Sequence, residues 1–207
     1  MVRVITIARE FGSGGAIVAG LLAERLHWRL LDRDLLVEIA RGANVDPQIA
    51  QRYDERTDPW FHRLVKHALS RGGAEGPMPQ SGDMFDSETM VAVGKRAIEE
   101  AARIGNCVVV GRGAQCILHG WPDAFHVFLY APMRVRKNLV AERLGGRADL
   151  EAEIRLNDHH RAEFIRRHFG QEWCNPHLYD VMINTRHGCD SAAETILSAI
   201  NFQADRA

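Results

Sequence analysis

The residues best equipped for chemistry are a glycine cluster, "REFGSGG" at 9–15, and a set of arginines spread along the chain. The cluster lies between the apolar run "VRVITI" and the helix-like "AIVAGLLAERL". Backbone amides in such a turn, backed by a helix N-terminus, can cradle a phosphate. The 26 Lys and Arg residues are mostly Arg, whose planar fork meets phosphate or carboxylate oxygens two at a time. Three readings of the cluster are open. A tight turn needs no ligand. A dinucleotide loop, G-x-G-x-x-G/A, finds Gly12, Gly14 and a following Asp32 for a ribose hydroxyl, but sets β-branched Ile17 where the third glycine belongs. A phosphate loop, G-x-x-x-x-G-K-[ST], sets Arg9 at the first glycine, Gly14 at the second, Gly15 at the lysine and Ala16 at the hydroxyl.

The elements that must position these residues follow from hydrophobic spacing. "RVITIA" (3–8) predicts a strand buried on both faces, and apolar residues at 17, 18, 21, 22, 23 and 26 predict a helix. "WRLLD" (28–32) reads as a short strand ending on Asp32, followed by helical spacing to Gly42 and again over 46–70, with a break at Pro59. "RGGAEGPMPQSGD" (71–83) reads as a flexible loop, and 87–103 as an amphipathic helix. Further strands are expected at 106–113, 124–132 and 179–185, and helices at 133–144, 150–169 and 191–202. Apolar strands alternating with helices predict a parallel sheet covered on both faces.

At 207 residues, 46% hydrophobic and 26% charged, the chain suits one globular domain. A formal net charge of -1 gives no basic field for nucleic acid. Cys107, Cys116, Cys174 and Cys189 form no C-x-x-C pair, and the histidines show no metal-ligand spacing, so no metal site is expected. No apolar run approaches the length of a membrane span, and no signal peptide is read at the N-terminus. The expectation is a soluble, cytoplasmic protein with no membrane or nucleic-acid partner.

Five stretches carry a resemblance: "VITIAREFGSGGAIVAGLLAERLHWRLLDRDLL", "CVVVGRGAQCIL", "FHVFLYAPMRVR", "NDHHRAEFIRRHFGQEW" and "YDVMINT", in that order. Together they resemble the cytidylate kinase-like family, a branch of the nucleoside monophosphate kinases. The resemblance implies a three-layer α/β P-loop NTPase fold with a five-stranded parallel sheet. It also implies a helical acceptor-binding insert at roughly 42–90 and a lid at roughly 145–175. The implied reaction is phosphoryl transfer from ATP, with Mg²⁺, to a nucleoside monophosphate, CMP or dCMP first. Gly12, Ser13, Gly14, Gly15 and Ala16 would meet the donor phosphates, and Asp32 would face the acceptor or a metal-bound water. Arg112 would hold the acceptor phosphate. Asp158 and Arg161, matching the family's D-x-x-R, would act with Arg167 or Arg166 on the transferring group.

Each residue also has a plainer role. Asp32 suits the cap of the next helix. Arg161, Arg166 and Arg167 suit a solvated helix face paired with Glu163. Trp60, Phe61 and Trp173 suit packing. The chain departs from its relatives at three points: Ala16 replaces an arginine after "GSGG", Gly113 replaces an aspartate after "GR", and "RAEFI" stands for a "RASYY"-like stretch. A non-catalytic nucleotide-binding domain is the alternative reading.

Overall fold

The structure, a computed structural model, describes residues 1–32, 88–144 and 149–204. The helices expected at 33–42 and 46–70, the loop at 71–83 with its expected flexibility, and nearly all of the acceptor insert lie outside the described residues. So do Trp60 and Phe61. Five strands form one parallel sheet: β1 (Val4–Arg9), β2 (Arg29–Leu31), β3 (Cys107–Val110), β4 (Ala124–Tyr130) and β5 (Val181–Asn184). Their order is β2-β3-β1-β4-β5, with β1 central and paired to β3 and β4. The connection leaving β1 runs toward β2 at one edge, and the one leaving β4 runs toward β5 at the other. Divergence of that kind opens a crevice at the carboxyl ends of the strands.

Strand alternation explains the layers. Ile5 and Ile7 of β1, Val108 and Val110 of β3, and Phe125, Val127 and Leu129 of β4 point to one face. There they pack on α1 (Gly15–Leu26) and α6 (Cys189–Ala204) through Val18, Ala19, Leu22, Ala193 and Ile196. Val4, Leu31, Cys107 and Val109 point to the other face, against Ala97, Ile98, Ala101 and Ala102 of α2 (Glu88–Ile104). Small residues at one helical stripe let each helix lie close to the sheet. α3 (Ala114–Ile117) follows β3 directly, α4 (Met133–Leu144) follows β4, and α5 (Leu150–Phe169) carries the expected lid sequence. No helix among the described residues is long and apolar enough to cross a membrane.

Most differences from the sequence reading sit at strand ends; besides them, the helix Ala114–Ile117 was not expected, and the last helix runs Cys189–Ala204 rather than 191–202. The strand expected over 106–113 stops at Val110, because Gly111, Arg112 and Gly113 all take positive φ, 75°, 57° and 70°. Those at 28–32, 124–132 and 179–185 shorten to Arg29–Leu31, Ala124–Tyr130 and Val181–Asn184. The 3₁₀ turns Pro176–Leu178 and Thr185–His187 flank β5, each opened by an asparagine side chain accepting from a backbone amide.

Candidate functional site

The glycine cluster links β1 to α1 at the centre of the crevice. Gly14 is the left-handed N-cap of α1, and no side chain caps the helix or places an acid in its first turn. α5, by contrast, is capped by Asp149, whose carboxylate accepts from the Ala152 amide at 3.0 Å. The first turn of α1 therefore keeps its unsatisfied amides and positive partial charge. Ser13 is not part of this display. Its amide donates to the Glu10 carbonyl at 3.3 Å, and its hydroxyl donates to the Glu10 and Leu129 carbonyls. Gly12 lies against Arg136 and Val140 of α4, Gly14 lies beside Cys189 of α6, and Ala16 is exposed.

Two helices clamp this loop through its backbone. Asp158 of α5 accepts from the Phe11 amide at 2.7 Å and pairs with Arg136. Arg136 donates to the Phe11 carbonyl at 2.9 Å and pairs with Glu10 at 3.1 Å. Glu10 also accepts from the Ala131 amide. Arg161 donates to the Arg9 carbonyl at 2.7 Å, with its guanidinium 5.5 Å from the Phe11 ring centre. Burial lowers the Arg161 pKa, Asp158 raises it, and Arg136 lowers it. Asp158 and Arg161 thus hold the shape of the loop. Arg136, which joins both carboxylates, closes the stretch "FHVFLYAPMRVR" that carries part of the resemblance, but nothing in its spacing set it apart from the other charges of "MRVRKNLV".

A cavity of about 540 Å³ opens beside the loop, between the ends of β1 and β3 and the underside of α5. Arg9, Arg112, Arg161 and Arg167 reach it, with Asn157, His160 and His168, against the single carboxylate Glu163. Of the residues singled out in sequence, the cavity collects Arg112, Arg161 and Arg167. Gly12, Ser13, Gly14, Gly15, Ala16, Asp32 and Asp158 do not line it. Arg166 is on the outer face of α5, paired with Glu163 at 2.8 Å. Trp173 is buried edge-on against Phe128, ring centres 5.3 Å apart, so it anchors packing at the rim.

Arg112 is aimed by backbone geometry. An L-residue at φ 57° between two left-handed glycines is locally strained by about 1–2 kcal/mol. Gly113 fits only as glycine, because a Cβ there would collide with the Phe169 ring.

A dedicated Mg²⁺ site does not fit these residues. No group of three His, Cys, Asp or Glu among the described residues could hold a metal ion. Glu10 and Asp158, which flank the glycine cluster, are engaged by Arg136 and by backbone amides.

The model of one protein family, the cytidylate kinase-like family, matches residues 4–187. No curated protein matches the chain. Among solved structures, an uncharacterized protein from Eubacterium ventriosum is 21% identical with a TM-score of 0.70, covering 97% of this chain and 99% of that one. A tunicamycin resistance protein from Deinococcus radiodurans is 18% identical with a TM-score of 0.53, covering 97% and 96%. A shikimate kinase from Acinetobacter baumannii, in complex with shikimate, is 18% identical with a TM-score of 0.52, covering 98% and 95%. At such identities the likeness speaks for the fold alone, a three-layer P-loop kinase fold on a five-stranded parallel sheet.

Proposed function

Because the chain belongs to the cytidylate kinase-like family, we propose that it transfers a phosphoryl group from ATP to a nucleoside monophosphate, CMP or dCMP first. The observation that carries this reading is the cavity wall, with four arginines against one carboxylate at the carboxyl ends of β1 and β3. Phosphoryl transfer asks for positioned positive charge more than for a nucleophile. The uncapped first turn of α1 suits the donor phosphates. Arg112, turned outward by its left-handed backbone, suits the acceptor phosphate. Asp158 positions the loop for both. Mg²⁺ would come with the nucleotide rather than be held by a ligand set among the described residues. The four free cysteines support a reducing compartment, and we assign the reaction to the cytoplasm.

The test is release of ADP with a panel of CMP, dCMP, UMP and AMP, beside thermal shifts with each ligand. ADP release with CMP or dCMP above the others supports the proposal. Binding without turnover supports the alternative, a nucleotide-binding domain without catalysis. That second reading is favoured by Gly15 and Ala16, which bring neither ammonium nor hydroxyl, and by Asp158, which occupies the Phe11 amide.

Arg112→Ala should weaken monophosphate binding by about one to two decades, the worth of a charge-assisted bond of about 1.5–3 kcal/mol. ATP binding should change less. Arg112→Gly should lose the same affinity while relieving the strained φ, so its melting temperature should equal or exceed that of wild type. Equal loss of both ligands in both variants would make Arg112 a fold residue instead.

A further inference from the structure

Arg9 ends β1, and in a phosphate-loop alignment it stands at the first glycine while Gly15 stands at the lysine. The two departures are joined in space. The Arg9 side chain runs back over Gly15, where a Cβ would lie 2.6 Å from Arg9 Cγ and 2.9 Å from Arg9 Cβ. Its guanidinium continues to Gly111, whose Cβ would collide with Arg9 Nη1. One side chain therefore spans from the lysine position to the loop that carries Arg112, and it reaches the wall of the cavity. Any residue but glycine at 15 would displace it.

The electrostatic setting of Arg9 is one-sided. Among the described residues no carboxylate acts on it, and the charges that do are Arg161 and Arg112. Burial first, then those two arginines, pushes its pKa down to about 9, so it stays charged at neutral pH. Arg112 and Arg161 both repel the Arg9 guanidinium, and a polyanion seated beside it offsets that repulsion. A half-buried arginine that served only the fold would be expected to have a carboxylate or carbonyl partner.

We propose that Arg9 is the cation of this phosphate loop: its guanidinium, threaded over Gly15, grips the transferring phosphoryl group of a nucleoside triphosphate in the place the lysine leaves. The assignment rests on the phosphotransfer reading above. In that reaction the bond between the γ-phosphorus and its bridging oxygen breaks, and the electron pair stays on ADP. A phosphate oxygen of the monophosphate forms the new bond, with no net proton transfer between the two. Negative charge moves through the transferring group, and a fixed guanidinium beside it stabilises that charge. Arg112 and Arg161 flank it.

The test uses the full chain with ATP, CMP and inorganic tripolyphosphate as probes, in four forms: wild type, Arg9→Met, Arg9→Lys and the double variant Arg9→Gly with Gly15→Lys. Arg9→Met should lower phosphoryl transfer by about 10²–10³-fold and tripolyphosphate affinity by at least about tenfold. The melting temperature of its ligand-free form should equal or exceed that of wild type, since a like charge is removed. Arg9→Lys should recover part of the binding, and the double variant should recover transfer by returning the cation to position 15. Wild-type affinity in Arg9→Met, or a ligand-free Arg9→Met that is destabilised or unfolded with no recovery of binding in Arg9→Lys, overturns the assignment. So does a wild type that ignores tripolyphosphate. A wild type that binds tripolyphosphate yet phosphorylates no monophosphate sinks the phosphotransfer reading, and the binding arm still decides on Arg9.

Discussion

Arg136→Met should lower the melting temperature by about 6–12 °C. Arg136 is 5% exposed and joins Glu10, Asp158 and the Phe11 carbonyl. Without it, two partly buried carboxylates face each other with no cation between them. Removing one partner of a buried ion pair costs about 3–5 kcal/mol. Both carboxylates keep some contact with water, at 25% and 20% exposure, so the lower figure, about 3 kcal/mol, applies here. In a chain of this size each kcal/mol shifts the midpoint by about 2–4 °C. Adding Glu10→Gln and Asp158→Asn to Arg136→Met should restore part of the loss, because the stranded charges go with the guanidinium. Calorimetry on the three forms decides. A fall under about 2 °C in the single variant would mean that the carboxylates find other partners.

Gly113→Asp, which restores the residue that cytidylate kinases place after "GR", should destabilise this chain by about 2–5 kcal/mol. Left-handed backbone at φ 70° accounts for about 1–2 kcal/mol, and overpacking for about 1–3 kcal/mol more. The obstacle is specific. The Cβ would run into Cε2 of Phe169 and come within 2.6 Å of its Cζ. Phe169→Ala should therefore be less harmful beside Gly113→Asp than alone, with a coupling of about 1–3 kcal/mol in a double-mutant cycle. Additive effects would show that the ring simply swings aside.

The sheet was legible because most of its strands are apolar runs too short and too β-branched to be a helix. "VITIA", "CVVV" and "FHVFLY" announce themselves, and their alternation with helical stripes gives a parallel sheet. The four-residue α3 was not legible, since "AQCI" is too short to show a period and follows a glycine turn. In the site, Arg112 could be picked out by its place at a strand end, and Arg161 by the resemblance of its D-x-x-R stretch. What they do could not. Arg161 and Asp158 reach 147–152 positions back along the chain to the glycine loop, and local spacing holds no record of such pairing. Arg9 was hidden for another reason. At a strand end it reads as a surface charge, and only its direction, back over Gly15, separates it from one. The signal was there as a pair: a missing lysine at 15 and a surplus arginine at the first-glycine position.

The place of β1 at the centre of the sheet also sets a timetable for synthesis. Its neighbours begin at Cys107 and Ala124, so Val4 leaves the ribosome about 120 residues ahead of its β4 partner. At about 5–20 residues per second, that is a wait of about 6–24 s. Until β3 follows, five consecutive residues destined for the interior, Val4 to Ala8, have both edges unpaired, and the β4 edge stays open for the rest of the wait. A nascent chain in that condition is an invitation to edge-to-edge aggregation, and slower, cooler expression that lets holdase chaperones keep pace should raise the soluble yield. Of the five strands, the one that ends on Arg9 is made first and waits longest for a partner.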